Sequence, residues 1–455
     1  MKEKLLRVAL PILCLGLVQC TGSTTDTSSA PTAFATVRLN PTTGVADSGF
    51  GGTGIVVTQI DPTLFGFAMA AVVQPSDNRL VVGGSNGLGG QGQIAMVRYN
   101  TNGTLDNTGF GTNGIVKTPL PLPTLPASAT AIAIQPVDFK IVVAALAFQA
   151  TTNGAGNTSI VLLRYNPNGT LDTTSFGTNG IAAAAPIGSG NAGDTCALLA
   201  QGTKFVVAGG SQDGNIVLYR YDSAGVLDPT FGAPATPGKT TTSLGAATVA
   251  MSPAMAAQSD GRIILVTGNS NDQVVLRYSA DGALDTTFGG GTNGGIVTTD
   301  IGSSINYANA VAIQSTGAPA NLDKIVVVGH SGLGSNTSDI SVVRYGKDGV
   351  LDTTFGSGGV VTTNIGNNQF DNAFSIVLQD LGGGEPRILV SGNTGGGGIS
   401  QTVVLRYIST GTPDASFGSA GIGQVLVPLV GPSTIASGNA IVLQPGLGIV
   451  VTGYD

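Results

Sequence analysis

Tryptophan is absent from the 455 residues, histidine occurs once (His330), and glutamate occurs only as Glu3 and Glu385. Each scarcity removes a chemistry. A serine hydrolase of the usual triad needs a histidine base beside its nucleophile. The string "GHSGLGS" around His330 carries Leu333 where a nucleophile elbow requires glycine. His330 is therefore read as a strand-end residue. Zinc sites need clustered Cys and His, which the chain lacks. A carboxylate pair for glycoside hydrolysis would have to be built from Asp alone, since Glu385 lies in the turn "GGGEPR", and no nonrepeated Asp pair stands out. The glycine runs "GGSNGLGGQG" and "GNTGGGGIS" lack the strand, turn and helix order of a phosphate loop and read as hairpin turns. No catalytic residue, cofactor or metal site is expected, and the chain is expected not to be an enzyme.

Charge is scarce as well. Asp, Glu, Lys and Arg make up 10% of the chain, the net charge is −7, and no basic run follows the extreme N-terminus. Phosphate backbones have little to pair with, which argues against a nucleic-acid partner. Beyond residue 20 the only cysteine is Cys196, so no intramolecular disulfide is available after export. Its apolar setting, "DTCALLAQ", reads as a small buried residue.

What is abundant is glycine, 70 residues, with Thr, Asn, Val and Ile, a mixture suited to short strands and tight turns. Residues 1–20, "MKEKLLRVALPILCLGLVQC", place Lys2, Lys4 and Arg7 before an apolar stretch too short to be a dependable membrane span, and read as an export signal. Leu17 and Val18 before Cys20 resemble a bacterial lipobox, with Gln19 where a small residue is usual. Lipid attachment at Cys20 and ordinary cleavage nearby are the two readings, the first favoured by the polar tether at residues 21–32.

The remainder, residues 33–455, is repetitive. "GKDGVLDTTFGSGGVV" has six counterparts, whose Asp residues are Asp47, Asp106, Asp172, Asp228, Asp285, Asp352 and Asp414. Successive spacings are 59, 66, 56, 57, 67 and 62 residues, one supersecondary unit per repeat. Each unit holds four strand-length apolar runs, for example 295–299, 308–314, 323–330 and 340–345, and no sustained helical periodicity appears after residue 20. Repeated four-stranded units point to an all-β, seven-bladed β-propeller. "AFATVRLN" at 33–40 matches only the last strand of such a unit, and the C-terminal runs match only the first three. An open stack would expose unpaired edges, whereas a ring closed by the N-terminal strand completing the last blade leaves every unit whole.

The string of an "AIQ" strand, a "DGR" or "DNR" turn, an "IVVxG" strand, "VVLRY", "LDTTFG" and "GIV" resembles the delta-60 repeat of bacterial surface and exported proteins. That resemblance covers essentially all of residues 33–455 and implies a propeller-like repeat domain in an extracytoplasmic setting, without a defined activity.

Three residues recur in each repeat. Phe50, Phe110, Phe176, Phe231, Phe288, Phe355 and Phe417 are placed to fill the wedge between sheets. Arg38, Arg98, Arg164, Arg220, Arg277, Arg344 and Arg406 precede the motif Asp by eight residues, or nine in the first repeat. Either each Asp caps its turn while Arg is solvated, or the two form a charge-assisted pair. A carboxylate placed identically in every repeat is poor material for one active site or a calcium ring.

Binding is sought instead where repeats differ. The loops "KTPLPLPTLPASAT", "DIGSSINYAN", "NIGNNQFDN", "AFQATTNGAGNTS" and "SGLGSNTSD" emerge on one side of an antiparallel blade, the repeated motif on the other. Tyr307, Phe370, Asp371 and the Pro-rich segment 119–126 are the expected contacts. The expectation is an exported, lipid-anchored, monomeric propeller that binds an envelope or extracellular protein or glycan without catalysis. Membrane contact would be through the lipid alone. The alternatives are an envelope propeller enzyme using Asp and calcium, and a surface-coat component without a discrete ligand.

Overall fold

The computed structural model describes residues 32–454, apart from 88–91, 121–126, 150–156, 190–194, 246–251, 270, 292–293, 303–304, 317–320, 333–336, 367–369, 383, 397–398, 419–420 and 428–436. The export signal, Cys20 and nearly all of the tether lie outside the described residues. No helix among the described residues is long and apolar enough to cross a membrane.

The chain forms seven four-stranded antiparallel sheets, a seven-bladed propeller. From the axis outward, blade 1 holds Gly66–Val73, Leu80–Asn86, Gln93–Tyr99 and Ile115–Thr118. Blade 2 holds Ala127–Ile134, Ile141–Gln149, Asn157–Tyr165 and Ala185–Ser189. Blade 3 holds Ala197–Gln201, Lys204–Gly210, Asn215–Tyr221 and Lys239–Ser243. Blade 4 holds Ala254–Ala257, Ile263–Gly268, Gln273–Tyr278 and Ile296–Thr299. Blade 5 holds Asn306–Ile313, Ile325–Ser331, Asp339–Tyr345 and Val360–Thr363. Blade 6 holds Phe370–Gln379, Arg387–Gly396, Ile399–Tyr407 and Gln424–Leu426. Blade 7 takes Ser437–Gln444 and Gly448–Tyr454 from the C-terminal end, then Phe34–Leu39 and Ile55–Thr58 from the N-terminal end.

Closure through a shared sheet is as expected, with one correction of phase. The "GIV" run is the outermost strand of the blade it follows, because the Asp motif is a hairpin turn within a blade: Val343 pairs with Val360 and Ser341 with Thr362. Blade 7 is therefore closed two strands against two, and Gln424–Leu426 belongs to blade 6.

Second and third strands are buried almost throughout, which explains their continuous Val, Ile and Leu runs. Their side chains form seven apolar clusters, each drawn from two neighbouring blades and each containing one motif Phe. The cluster of Phe417 joins Leu389 and Val404 of blade 6 to Val37, Leu39, Ile449 and Val451 of blade 7, so the wedge is repeated at the closing junction. A buried Phe contributes about 1.5–3 kcal/mol by area alone.

The repeated Arg does three things at once. Every motif Arg pairs with its Asp at 2.6–2.9 Å. Every guanidinium also lies over its motif Phe, 4.4–5.0 Å from the ring centroid. Its Nη1 donates to a backbone carbonyl in the corresponding turn of the next blade, such as Ser223 for Arg164 and Pro41 for Arg406. Asp both caps its turn and pairs with Arg, one oxygen for each, and the expectation of a solvated Arg is corrected, since every latch Arg is buried. In blade 5, Oδ2 of Asp352 accepts from Arg344 Nε at 2.8 Å while Oδ1 accepts from the N–H and hydroxyl of Thr354. Burial works to raise the pKa of Asp352. Hydrogen bonds from Lys324 and Thr354 and the charge of Arg344 outweigh it and hold the carboxyl well below the usual range.

The "DG" glycine of each turn belongs to the same latch. Gly349 has φ +84°, and a Cβ there would lie 2.5 Å from Cζ of Phe288 in the preceding blade. The Tyr after Arg reaches back the other way: Tyr345 shares a hydrogen bond with Thr299, and Tyr407 with Thr363, on the outer strand of the previous blade. At the closing junction both partners change together, for Leu39 replaces Tyr and meets Val427 where Thr would stand.

Deleting residues 34–39 would unpair both Ile55–Thr58 and Gly448–Tyr454. The melting temperature is expected to fall by more than about 10 °C, followed by circular dichroism. An unchanged melt would contradict a closed ring.

Candidate functional site

The seven motif Asp residues do not converge. Each is engaged in the latch of its own blade junction, and no group of three or more potential metal ligands occurs among the described residues. Cys196 is buried against Thr130, and burial pushes its thiol up to about 12. Glu385 accepts hydrogen bonds from Gln314 and Asn321 across the junction of blades 5 and 6, on the motif side.

The opposite face, where the dissimilar loops emerge, is built on a feature that sequence reading missed. The inner strands of blades 1, 2, 5, 6 and 7 each carry a β-bulge near that end. Glycine on the second strand is what allows it in four of them. A Cβ on Gly84, Gly329, Gly392 or Gly453 would lie no more than 1.8 Å from a carbonyl oxygen of the inner strand. The bulge turns the extra residue toward the next blade. Asn309 Nδ2 donates to the carbonyl of Ala373 at 2.7 Å, and Asn439 Nδ2 to that of Ala68 at 2.8 Å. The signal was the Gly of "IVVxG", visible as a repeat but carrying no mark of the strand opposite.

At this bulged end the aromatic residues left over from the repeat collect. Of 15 Phe and nine Tyr, seven Phe are wedges and six Tyr follow the latch Arg. Six of the remainder, Phe65, Phe67, Tyr307, Phe370, Phe374 and Tyr454, sit at the varied-face ends of inner strands or of the strand beside them, all half-buried. They belong to blades 5, 6, 7 and 1, which are consecutive around the ring. Phe67 meets Tyr454 across the junction of blades 7 and 1 edge to face at 5.1 Å, and Phe65 stacks on Phe67 at 6.5 Å. Outside these four blades, Phe148 stands at the varied-face end of the second strand of blade 2. Among the described side chains, six rim aromatics gather on the arc of blades 5, 6, 7 and 1.

Of the three expected contacts, Tyr307 and Phe370 lie on this arc with part of their surface exposed. Asp371 is corrected: it is fully buried. Its Oδ2 accepts from the N–H of Ile365 and its Oδ1 from the hydroxyl of Thr394, so it fastens the linker into blade 6. Burial, with the nearby charge of Asp339, raises its pKa. Most of the Pro-rich segment, 121–126, lies outside the described residues. Phe65, Phe67, Phe374 and Tyr454 were missed, and subtracting the repeated aromatics from the total would have exposed them.

His330 is the next-to-last residue of its second strand, 1% exposed, with its ring 5.1 Å from that of Tyr307. Nδ1 faces the amide of Asn309 at 3.3 Å, while Nε2 is buried without a partner. Burial pushes its pKa down to about 4. Partly exposed aromatic faces suit a ligand with flat apolar surfaces.

Fold and rim together define a seven-bladed propeller with a structural motif face and an aromatic-rimmed face. Comparison with known families agrees with the fold: the model described as a domain of unknown function (DUF5122) beta-propeller matches residues 76–108, 140–174, 258–288, 323–355 and 387–417. Each matched stretch runs from around the turn between first and second strands to the motif Phe or just short of it. No curated protein matches the chain. Among solved structures it is similar to the BP39L lectin from Burkholderia pseudomallei, at 13% identity, covering 85% of this chain and 95% of the lectin, with a TM-score of 0.45. It is similar to a PL25 ulvan lyase at 10% identity, with 82% and 87% covered and a TM-score of 0.45. It is also similar to the soluble aldose sugar dehydrogenase from Escherichia coli, at 12% identity, with 71% and 92% covered and a TM-score of 0.36. These likenesses bear on fold alone. They correct the expectation that the chain is not an enzyme, because the lyase and the dehydrogenase share its general architecture and the fold gives no ground for setting the chain apart from them.

A histidine whose folded pKa is near 4, against about 6.5 when exposed, contributes stability that is complete above pH 6.5 and is lost as pH falls toward 4. The melting temperature should decline through that window, and His330→Leu should flatten part of the decline. Identical pH profiles for the two proteins would contradict a neutral buried histidine.

Proposed function

We propose that the chain is an exported, lipid-anchored, monomeric propeller of the delta-60 repeat type that binds an envelope or extracellular glycan through its aromatic rim. The observation that carries this reading is the gathering of six partly exposed aromatic side chains, none required by the repeat, on consecutive blades of one face. Exposed aromatic surface is costly to leave in water, and a sugar ring offers an apolar C–H face of matching size.

Export and anchoring rest on the basic and apolar pattern of residues 1–20 with Cys20. The route of the chain into the ring bears on what the rim meets. The carbonyl of Thr32 accepts from the N–H of Gly66, and Phe34 pairs with Tyr454, so the chain enters the propeller at the aromatic face. A tether of residues 21–32 spans at most about 40 Å when extended. With Cys20 lipidated, the aromatic face is the one at which the tether joins the ring.

On an array of envelope and extracellular glycans, Phe67→Ala and Tyr307→Ala should each weaken binding about tenfold or more, roughly 1.4 kcal/mol. Val45→Ser and Val350→Ser, exposed on the motif face, should leave it unchanged. Binding that survives the rim substitutions, or that is lost with those on the motif face, would overturn the assignment.

A further inference from the structure

The two faces of the ring differ in charge as sharply as in shape. Sixteen Lys and Arg follow residue 20. Seven are the latch Arg residues. Another six, Arg79, Lys140, Lys204, Arg262, Lys324 and Arg387, close the turns between first and second strands on the same face, and five of them reach the motif Asp of their blade, as Lys204 reaches Asp228 at 2.7 Å and Arg387 reaches Asp414 at 2.9 Å. Lys347 lies in the blade 5 motif turn, and Lys239 begins the outer strand of blade 3 at the motif end. That leaves Lys117, near the varied-face end of blade 1, and it is paired with Asp61 at 3.5 Å.

Carboxylates, in contrast, are present on the varied face. Asp61, Asp213, Asp272, Asp300, Asp339 and Asp371 all lie in its loops or at the strand ends that meet them. Among the described residues one cation therefore stands against six carboxylates. The pKa of Asp272 is raised by burial and then by the charge of Asp300, as befits carboxylates facing one another without a cation between them. Like charges brought together at an interface cost several kcal/mol, and a ring face of one sign acts over about 8 Å even at physiological salt.

We infer that the ligand of the aromatic rim is a glycan free of anionic groups, an uncharged or amino-bearing polysaccharide rather than a uronate, a sulfated chain or a phosphate-linked polymer. This rests on the glycan reading of the rim and narrows it. Aromatic stacking requires no charge on the ligand, whereas an anionic chain laid along the rim would meet Asp272, Asp300 and Asp339 with no free cation to receive it.

The test uses the full chain with three soluble probes, a cello-oligosaccharide, a chitosan oligomer and an alginate oligomer, by calorimetry at 20 and 200 mM NaCl. The cello-oligosaccharide or chitosan oligomer is expected to bind, with the first changing less than about twofold between the two salts, and alginate is expected not to bind. Asp272→Lys and Asp300→Lys, made singly and together with a melt of each, should gain alginate binding by about tenfold, strongest at low salt. Two variants keep the test readable if one fails to fold. Alginate bound by the unaltered chain, more tightly at 20 mM and lost in Phe67→Ala, would overturn this inference and leave the glycan reading standing. No binding of any probe, or binding that Phe67→Ala does not touch, would overturn both.

Discussion

The structure depends on one side chain used seven times. Each latch Arg is nearly free of water, and a guanidinium in that position must have its charge and its donors satisfied. The Asp eight or nine residues on supplies the charge, the motif Phe supplies a face, and the carbonyl in the next blade's turn supplies the acceptor that cannot come from within the blade. Because that last partner is always the neighbour's, no blade satisfies its own Arg. The ring has to close for every one of the seven to be satisfied, and Arg406 completes the circuit by donating to Pro41 and Thr42 near the N-terminus.

This division explains why the two faces could diverge. Nearly every cation beyond the signal is spent on the motif face, and the stiffness it provides lets the opposite face vary in loop length and sequence. Bulges there, permitted by glycines such as Gly329 and Gly453, turn Asn309 and Asn439 into cross-blade fasteners and leave the neighbouring aromatic residues at the rim. The six rim aromatics on blades 5, 6, 7 and 1 break the sevenfold regularity of the framework.

Much of the architecture was legible in the residues. Seven Asp, seven Phe and seven Arg, one set per repeat of 56 to 67 residues, counted the blades, and the unmatched terminal strands announced a shared sheet. Phase was not legible. The turn from Arg344 to Val360 is long enough to join two blades or two strands of one, and only the pairing of Val343 with Val360 decides it. The pairing of Arg with Asp could not be separated from capping because a carboxylate has two oxygens and does both. The rim was half legible: Tyr307 and Phe370 stood out inside dissimilar loops. Phe67 and Tyr454, about 390 residues apart in sequence, become neighbours only through closure of the ring. Asp371 misled because a carboxylate in a variable loop looks solvated until its donors are seen.

The most direct measurement of the central claim is a double-mutant cycle on Arg344 and Asp352, read by denaturant unfolding of the full chain. Both side chains are less than a tenth exposed. Asp352→Ala is expected to cost about 3–5 kcal/mol, because it leaves the buried Arg344 without its carboxylate, Arg344→Ala less, because Lys324 stays 2.8 Å from Asp352, and the pair should couple by at least about 1.5 kcal/mol. Additive losses with no coupling would contradict the latch and return the Asp to a local turn cap.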